Sequence, residues 1–310
     1  MKKFLLRGAS FWAIGLALLV GVNHLYVNTN GYKSLDETFK FYLMPDGIQV
    51  ANFGSSHGAY GFDYRGLEGI TGFNFGLPGQ SLHYDLELLK RYGDRLAEGC
   101  TVLIPVSYFS FDQKKDSYNQ RLIYYRLLDF KAVNNHRWEE YVRLRLLPIL
   151  SASFNAKFLL KDKKDISFNI YWMYDLLNVH YAPDDIEGYR QNAKRHLEYF
   201  QAITGQGENE AYNTKCLEEM IEYCRENGFR PVLLTMPFTR YYNEMFGEEF
   251  HREFRAKIKR LCEKHGVPYY DYSQDPRITE NLEFFMDSNH LGPEGSKAFT
   301  RMVLSDLGLI

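Results

Sequence analysis

The sequence predicts an α/β fold of three layers. A parallel sheet lies between helices, with a mostly helical insertion and an amino-terminal helix apolar enough to cross a membrane. Three observations carry that prediction. Short apolar runs alternate with longer segments of helical periodicity, which is how parallel strands joined by crossover helices read. The run CTVLIPVSYFSF is apolar almost throughout, as a strand covered on both faces must be. The alternation stops between residues 113 and 210 and resumes after them.

Residues 1–27 are read as a membrane anchor or signal segment. The run from Phe4 to Val22 is broken only by Arg7; at 1.5 Å per residue it spans roughly 28 Å, about one bilayer core. Lys2, Lys3 and Arg7 crowd its amino end, and the next Lys or Arg is Lys33. That asymmetry keeps the amino terminus in the cytoplasm and puts the rest outside. A cleaved signal peptide competes with an uncleaved anchor, but only Gly21 offers a small residue near the end of the run. Residues 28–46 are read as a polar linker leading into a short helix.

Residues 47–310 are read as one domain, interrupted by the insertion at 113–210. GIQVANF is the first strand and GSSHG breaks it. YRGLEG reads as a short helix capped by Asp63, and residues 72–75 as a second strand before another glycine-rich turn. LHYDLELLKRYGDRL is a helix, with Leu82, Leu86 and Leu89 at helical spacing. CTVLIPVSYFSF is the third strand. After the insertion come helix NTKCLEEMIEYCRENG, strand RPVLLTMPF, helix EEFHREFRAKIKRLCEKHG, strand VPYYDYS and helix GPEGSKAFTRMVLSDLG. Gly228 and Gly266 are read as helix stops. Chemistry in such sheets sits at the carboxyl ends of the strands, where FGSSH, FGLPGQS, VSYFSF and TMPFTR all fall.

Composition narrows the function. The 310 residues carry a formal net charge of −2, which gives no footprint for nucleic acid. Aromatic residues make up 16%, suiting carbohydrate or membrane-surface contact as well as an aromatic core. Cys100, Cys216, Cys224 and Cys262 lack metal-ligand spacing and are read as buried thiols. No metal or cofactor is expected.

A serine in the GSSHG turn can be a nucleophile or a helix cap. As a nucleophile it needs a base, because an unassisted hydroxyl is almost never ionised at neutral pH. FFMDSNHLGPEG supplies a candidate: Asp287 and His290 stand three residues apart before a helix, so both can face one side. Histidine has a suitable pKa, and a carboxylate on its other nitrogen fixes the tautomer.

With those segments in view, the chain resembles the SGNH/GDSL hydrolase superfamily over roughly 47–112 and 212–307. FGSSH is similar to that family's first block, which makes Ser56 the implied nucleophile and Ser55 the variable residue before it. NFGLPGQS is similar to the second block, which implies an oxyanion hole from the Ser56 and Gly79 amides, with Gly76 as the alternative glycine. DSNHL is similar to the last block, which implies Asp287 and His290 as the partners of the serine. The implied fold is flavodoxin-like. The third block's asparagine is missing from LIPVSYFSFD; Ser107 or Ser110 can donate in its place, or backbone amides alone can serve.

The anchored topology and the segments GSS and GQSLHY resemble most the branch acting in teichoic acid D-alanylation. They are also similar to SGNH proteins that work beside membrane-bound O-acyltransferases on exported polysaccharide. The resemblance implies an esterase or O-acyltransferase outside the cytoplasm, acting on acyl esters of a cell-envelope polymer. The alternative is a catalytically idle partner docking on a membrane-bound acyltransferase.

His57 is expected to pack against the turn. His83 is expected at the cleft or on the surface, and Asp112 and Arg240 are expected in loop hydrogen bonds. The implied triad lies outside the insertion, which is expected to shape an acceptor site or dock a membrane partner, with a cap that serves stability alone as the alternative.

Overall fold

The computed structural model describes residues 2–115, 118–177 and 181–310; within the expected insertion, residues 116–117 and 178–180 lie outside the described residues. The chain divides into two compact units. One is Met1–Met44 with Tyr118–Ile170, and the other is Pro45–Ser117 with Tyr171–Ile310.

The first unit begins with α1 (Lys2–Val27). Its segment Leu6–Val27 is long and apolar enough to span a membrane, and Leu6, Phe11, Trp12, Leu16 and Leu18 on it are exposed. Its last turns behave differently. The Asn23 amide donates to the Leu146 carbonyl at 3.1 Å and accepts from the Ile149 N–H at 3.1 Å. Tyr26 is buried with Tyr32 and Ala152 in a small core, edged by Val27, Leu35, Ile149, Ala156 and Leu159. The Arg126 guanidinium lies 4.7 Å over the Tyr32 ring, pairs with Asp36 and donates to the Tyr32 carbonyl at 2.9 Å. Residues 28–46 are therefore structured: Thr29 caps the short helix Asn30–Lys33, and Asp36 caps a 3-10 helix Glu37–Leu43. The helical stretch after Arg137 breaks into Trp138–Tyr141, a π turn Val142–Leu146 and a 3-10 turn Pro148–Ser151. Pro148 has no N–H to continue the ladder, and the Leu147 N–H reaches back to the Val142 carbonyl at 2.7 Å.

The second unit holds a five-stranded sheet in the order β2-β1-β3-β4-β5, with β1 Ile48–Asn52, β2 Gly72–Asn74, β3 Leu96–Pro105, β4 Arg230–Thr235 and β5 Tyr269–Asp271. All pairings are parallel. This is the expected α/β class, and the strand order is the flavodoxin-like one. Its helices are α2 (Ser56–Gly61), α3 (Leu82–Tyr92), α4 (Ile186–Ile203), α5 (Glu210–Glu226), α6 (Glu248–His265) and α7 (Pro293–Asp306).

Right-handed crossovers decide the layers. The step from β1 to β2 runs opposite to the steps from β2 to β3, β4 and β5, so α2 lies on one face and α3, α5 and α6 on the other. Contacts agree: α3 packs on α5, and α7 returns to pack on α2. Between the layers Val102, Leu103, Ile104, Leu233 and Leu234 are fully buried, and Phe53 stacks on Phe75 at 4.7 Å. Each such side chain contributes roughly 1.5–3 kcal/mol by leaving water. The strand order reverses between β1 and β3, and their carboxyl ends open the crevice where ligands of such sheets bind.

All four cysteines are buried thiols. The expected helix at Tyr64–Gly69 is absent. Gly66 and Gly69 hold left-handed φ angles of 75° and 78°, which no right-handed helix accommodates. Asp63 instead accepts the Arg65 N–H at 3.0 Å and pairs with the Arg65 side chain.

Candidate active site

The turn after β1 is built before any chemistry is. Gly54 takes φ 103°, which a side chain would resist, and its N–H donates to Asp85 Oδ1 at 2.8 Å. Ser55 is the N-cap of α2, and Ser56 is the first residue of that helix. Two asparagines at the strand ends fix α2 in place. Asn74 donates to the carbonyls of Gly58, Ala59 and Phe62, and Asn52 donates to Gly58 and to Asn74 Oδ1.

Ser56 Oγ lies 2.8 Å from His290 Nε2. His290 Nδ1 lies 3.0 and 3.1 Å from the two oxygens of Asp287. Asp287 Oδ1 also accepts the N–H groups of Asn289 at 2.9 Å and His290 at 2.8 Å, so its orientation comes from its own turn. Burial pushes the Asp287 carboxyl up, but His290 and His196 beside it more than offset this and leave it well below the usual carboxylate range. A charged carboxylate on Nδ1 leaves Nε2 as the basic atom facing Ser56.

Two side chains from within the expected insertion join this group, although Ser56, Asp287 and His290 themselves lie outside it. His196 on α4 places Nε2 3.2 Å from Asp287 Oδ2. Tyr174 on the short helix Trp172–Leu177 places its hydroxyl 3.0 Å from His290 Nδ1, and burial raises its pKa. His196, Asp287 and His290 also bring three metal-capable atoms within 4.8 Å of one another; here both histidines are hydrogen-bonded to the carboxylate.

His57 is buried behind the turn. Its Nδ1 lies 2.7 Å from Ser107 Oγ, and its Nε2 lies 3.2 Å from the Asn289 amide nitrogen. Burial, with His290 and His196 nearby, holds its pKa well below the ordinary value, so it is neutral. Ser110 Oγ accepts the Ser107 N–H at 2.9 Å.

Gly79 lines the pocket at Ser56, together with His57, Gln113, Asn289 and His290. The Gln113 side chain holds the Gly79 carbonyl at 2.9 Å. Gly76 donates its N–H to Asn74 Oδ1 at 2.9 Å. His83 is turned to the Tyr212 hydroxyl at 3.0 Å. Asp112 gathers the N–H groups of Gly205, Gly207 and Asn209, and Arg240 lies 4.8 Å over the Tyr241 ring; both serve loops.

Such a constellation can relay a proton from a serine hydroxyl to a histidine that a carboxylate orients. No protein-family model matches the chain, and no curated protein matches it. Solved structures similar to it include a Bacteroides fragilis protein provisionally described as an acylhydrolase, at 11% identity and TM-score 0.40, covering 87% of this chain and 93% of that one. A GDSL-like lipase from Bacteroides thetaiotaomicron is similar at 11% identity and TM-score 0.38, covering 84% and 89%. A mutant acetyl-xylooligosaccharide esterase from Geobacillus is similar at 12% identity and TM-score 0.36, covering 86% and 96%. Likeness this distant does not specify an activity; the site's own atoms must.

Proposed function

We propose that this chain cleaves or transfers acyl esters through Ser56, His290 and Asp287. The observation that carries the reading is the continuous contact from Ser56 Oγ through the His290 ring to a buried carboxylate, at 2.8 Å and 3.0 Å. His290 Nε2 takes the Ser56 proton as Oγ bonds to the acyl carbon. The developing oxyanion turns to the amides of Ser56 and Gly79. The ester C–O bond then breaks, and the leaving alcohol receives the proton from His290. Water, or a sugar hydroxyl, repeats the sequence in reverse and frees the serine.

Asn289 takes the place of the missing third-block asparagine in this reading. It lines the pocket beside Ser56 and Gly79, and its amide carries two N–H groups, of which His57 Nε2 can take one, whereas the single Ser107 hydroxyl lies on His57 Nδ1. One lost donor of this kind costs about 10²–10³ in rate.

The same reading makes the chain an uncleaved, single-pass membrane protein with this site outside the cytoplasm, acting on an acylated envelope polymer. The charge asymmetry supports the orientation. The hold on Asn23 and Tyr26 supports an uncleaved α1, since a cut after the apolar run would divide a helix whose end is built into the first unit.

A fluorophosphonate probe tests the nucleophile. Wild type and Ser55→Ala become labelled, and Ser56→Ala does not. Labelling that survives in Ser56→Ala and vanishes in Ser55→Ala moves the nucleophile by one residue. An unlabelled wild type supports the idle-partner reading instead.

A further inference from the structure

The cavity at Ser56 is small. Its volume is about 50 Å³, and a single water occupies about 10–15 Å³ by the same measure. It therefore holds a few heavy atoms, the size of an acetyl group with its carbonyl oxygen. Drug-sized ligand pockets run about 300–1,000 Å³.

Its apolar walls are Phe109, Phe200, Ile203 and Tyr242. Phe109 and Tyr242 are buried in the core and cannot retreat. Phe200, near the end of α4, is half-buried. It also lines a second, open groove of about 790 Å³ with Phe250, Phe254 and Lys257. Its ring packs 5.2 Å from Phe246 and 6.2 Å from Phe250. One aromatic side chain thus borders both spaces, a short pocket at the nucleophile and a long groove beside it. Tyr199, next to it, is 55% exposed and marks the open rim, where a leaving alcohol can stay in solvent.

We propose that Phe200 sets the acyl length this site accepts, restricting it to acetyl-sized esters by closing the Ser56 cavity off from the groove behind. This rests on Ser56 being the nucleophile. In the acylation step the acetyl carbon bonds to Ser56 Oγ, and its methyl points into the cavity. A butyryl chain presses against Phe200, and an octanoyl chain has no room. Each apolar carbon that fails to fit costs about tenfold or more.

The test uses the full-length protein in detergent, with p-nitrophenyl acetate, butyrate and octanoate. For wild type, kcat/KM falls at least tenfold from acetate to butyrate and at least a hundredfold to octanoate. Phe200→Ala joins the two spaces and raises octanoate relative to acetate at least tenfold. Two reagents separate this claim from the nucleophile assignment, read by mass shift on the peptide carrying Ser56. Methanesulfonyl fluoride labels it, and the bulkier phenylmethanesulfonyl fluoride does not. A flat chain-length profile with labelling by both reagents overturns the acyl-length proposal and leaves the nucleophile standing. A steep wild-type profile that Phe200→Ala leaves unchanged overturns the role of Phe200. Absence of labelling by either reagent, with no ester cleavage, overturns the nucleophile and this proposal with it.

Discussion

Asp287 holds two histidines at once, and the two differ in what they do for it. His290 stands between the carboxylate and Ser56, while His196 only donates from the far side. His290→Ala removes the proton acceptor, and turnover of p-nitrophenyl acetate falls by several orders of magnitude. Asp287→Asn keeps the shape but releases the tautomer, at a cost of about 10⁴. His196→Ala removes one hydrogen bond to a charged group and costs about tenfold in kcat. KM stays unchanged, because His196 positions the carboxylate and does not form the acyl site. Steady-state kinetics on the three variants separates these roles, and a wild-type His290→Ala defeats the triad.

Asp287 and His290 are legible from their three-residue spacing before a helix, whereas the choice of Ser56 over Ser55 comes only from the resemblance of FGSSH to a family block. His196 and Tyr174 are not legible. They come from segments with ordinary helical composition, and only the folding of α4 and of the short helix Trp172–Leu177 against the site brings His196 to Asp287 and Tyr174 to His290. Asn289 lies inside the same DSNH run, and spacing alone gives no sign that its amide faces His57 and the pocket.

At the scale of elements, the strands and helices of the sheet follow from apolar runs and glycine stops, and the chain alternates as expected. YRGLEG misled because two left-handed glycines outweigh its helical pattern. A link between elements is worth more to the site than either end of it. Asp85 on α3 reaches the turn after β1, where it accepts the Gly54 N–H and the Gln80 amide at 2.8 and 2.6 Å. Burial raises its pKa to about 7, although both hydrogen bonds pull the other way. A carboxyl raised above its unfolded value stabilises the fold fully below about pH 4 and loses that contribution as pH rises through 7. Asp85→Asn keeps an acceptor for both donors without the charge. The stability lost between pH 5 and pH 8 is therefore smaller in the variant by on the order of 2 kcal/mol. Urea unfolding at the two pH values measures this, and equal losses in both proteins would place a neutral Asp85 in error.

At the scale of the whole molecule, the orientation of α1 is testable without the chemistry. A phosphatase reporter fused after Ile310 is active, since that enzyme needs an oxidising compartment, and a reporter requiring the cytoplasm is silent. The opposite pattern removes the case for an exported polymer as substrate. The two-unit division bears on something else. The chain leaves the first unit at Met44 and does not return to it until Tyr118, completing it at Ile170. Tyr26 and Tyr32 therefore wait for Ala152, their partner in the small core. At about 5–20 residues per second, a ribosome that has passed residue 44 needs roughly 6–25 s to reach residue 170. Through that interval the last turns of α1 exist without the surface that covers them. The vulnerable moment of this architecture belongs to its synthesis, before the finished fold exists to be destabilised.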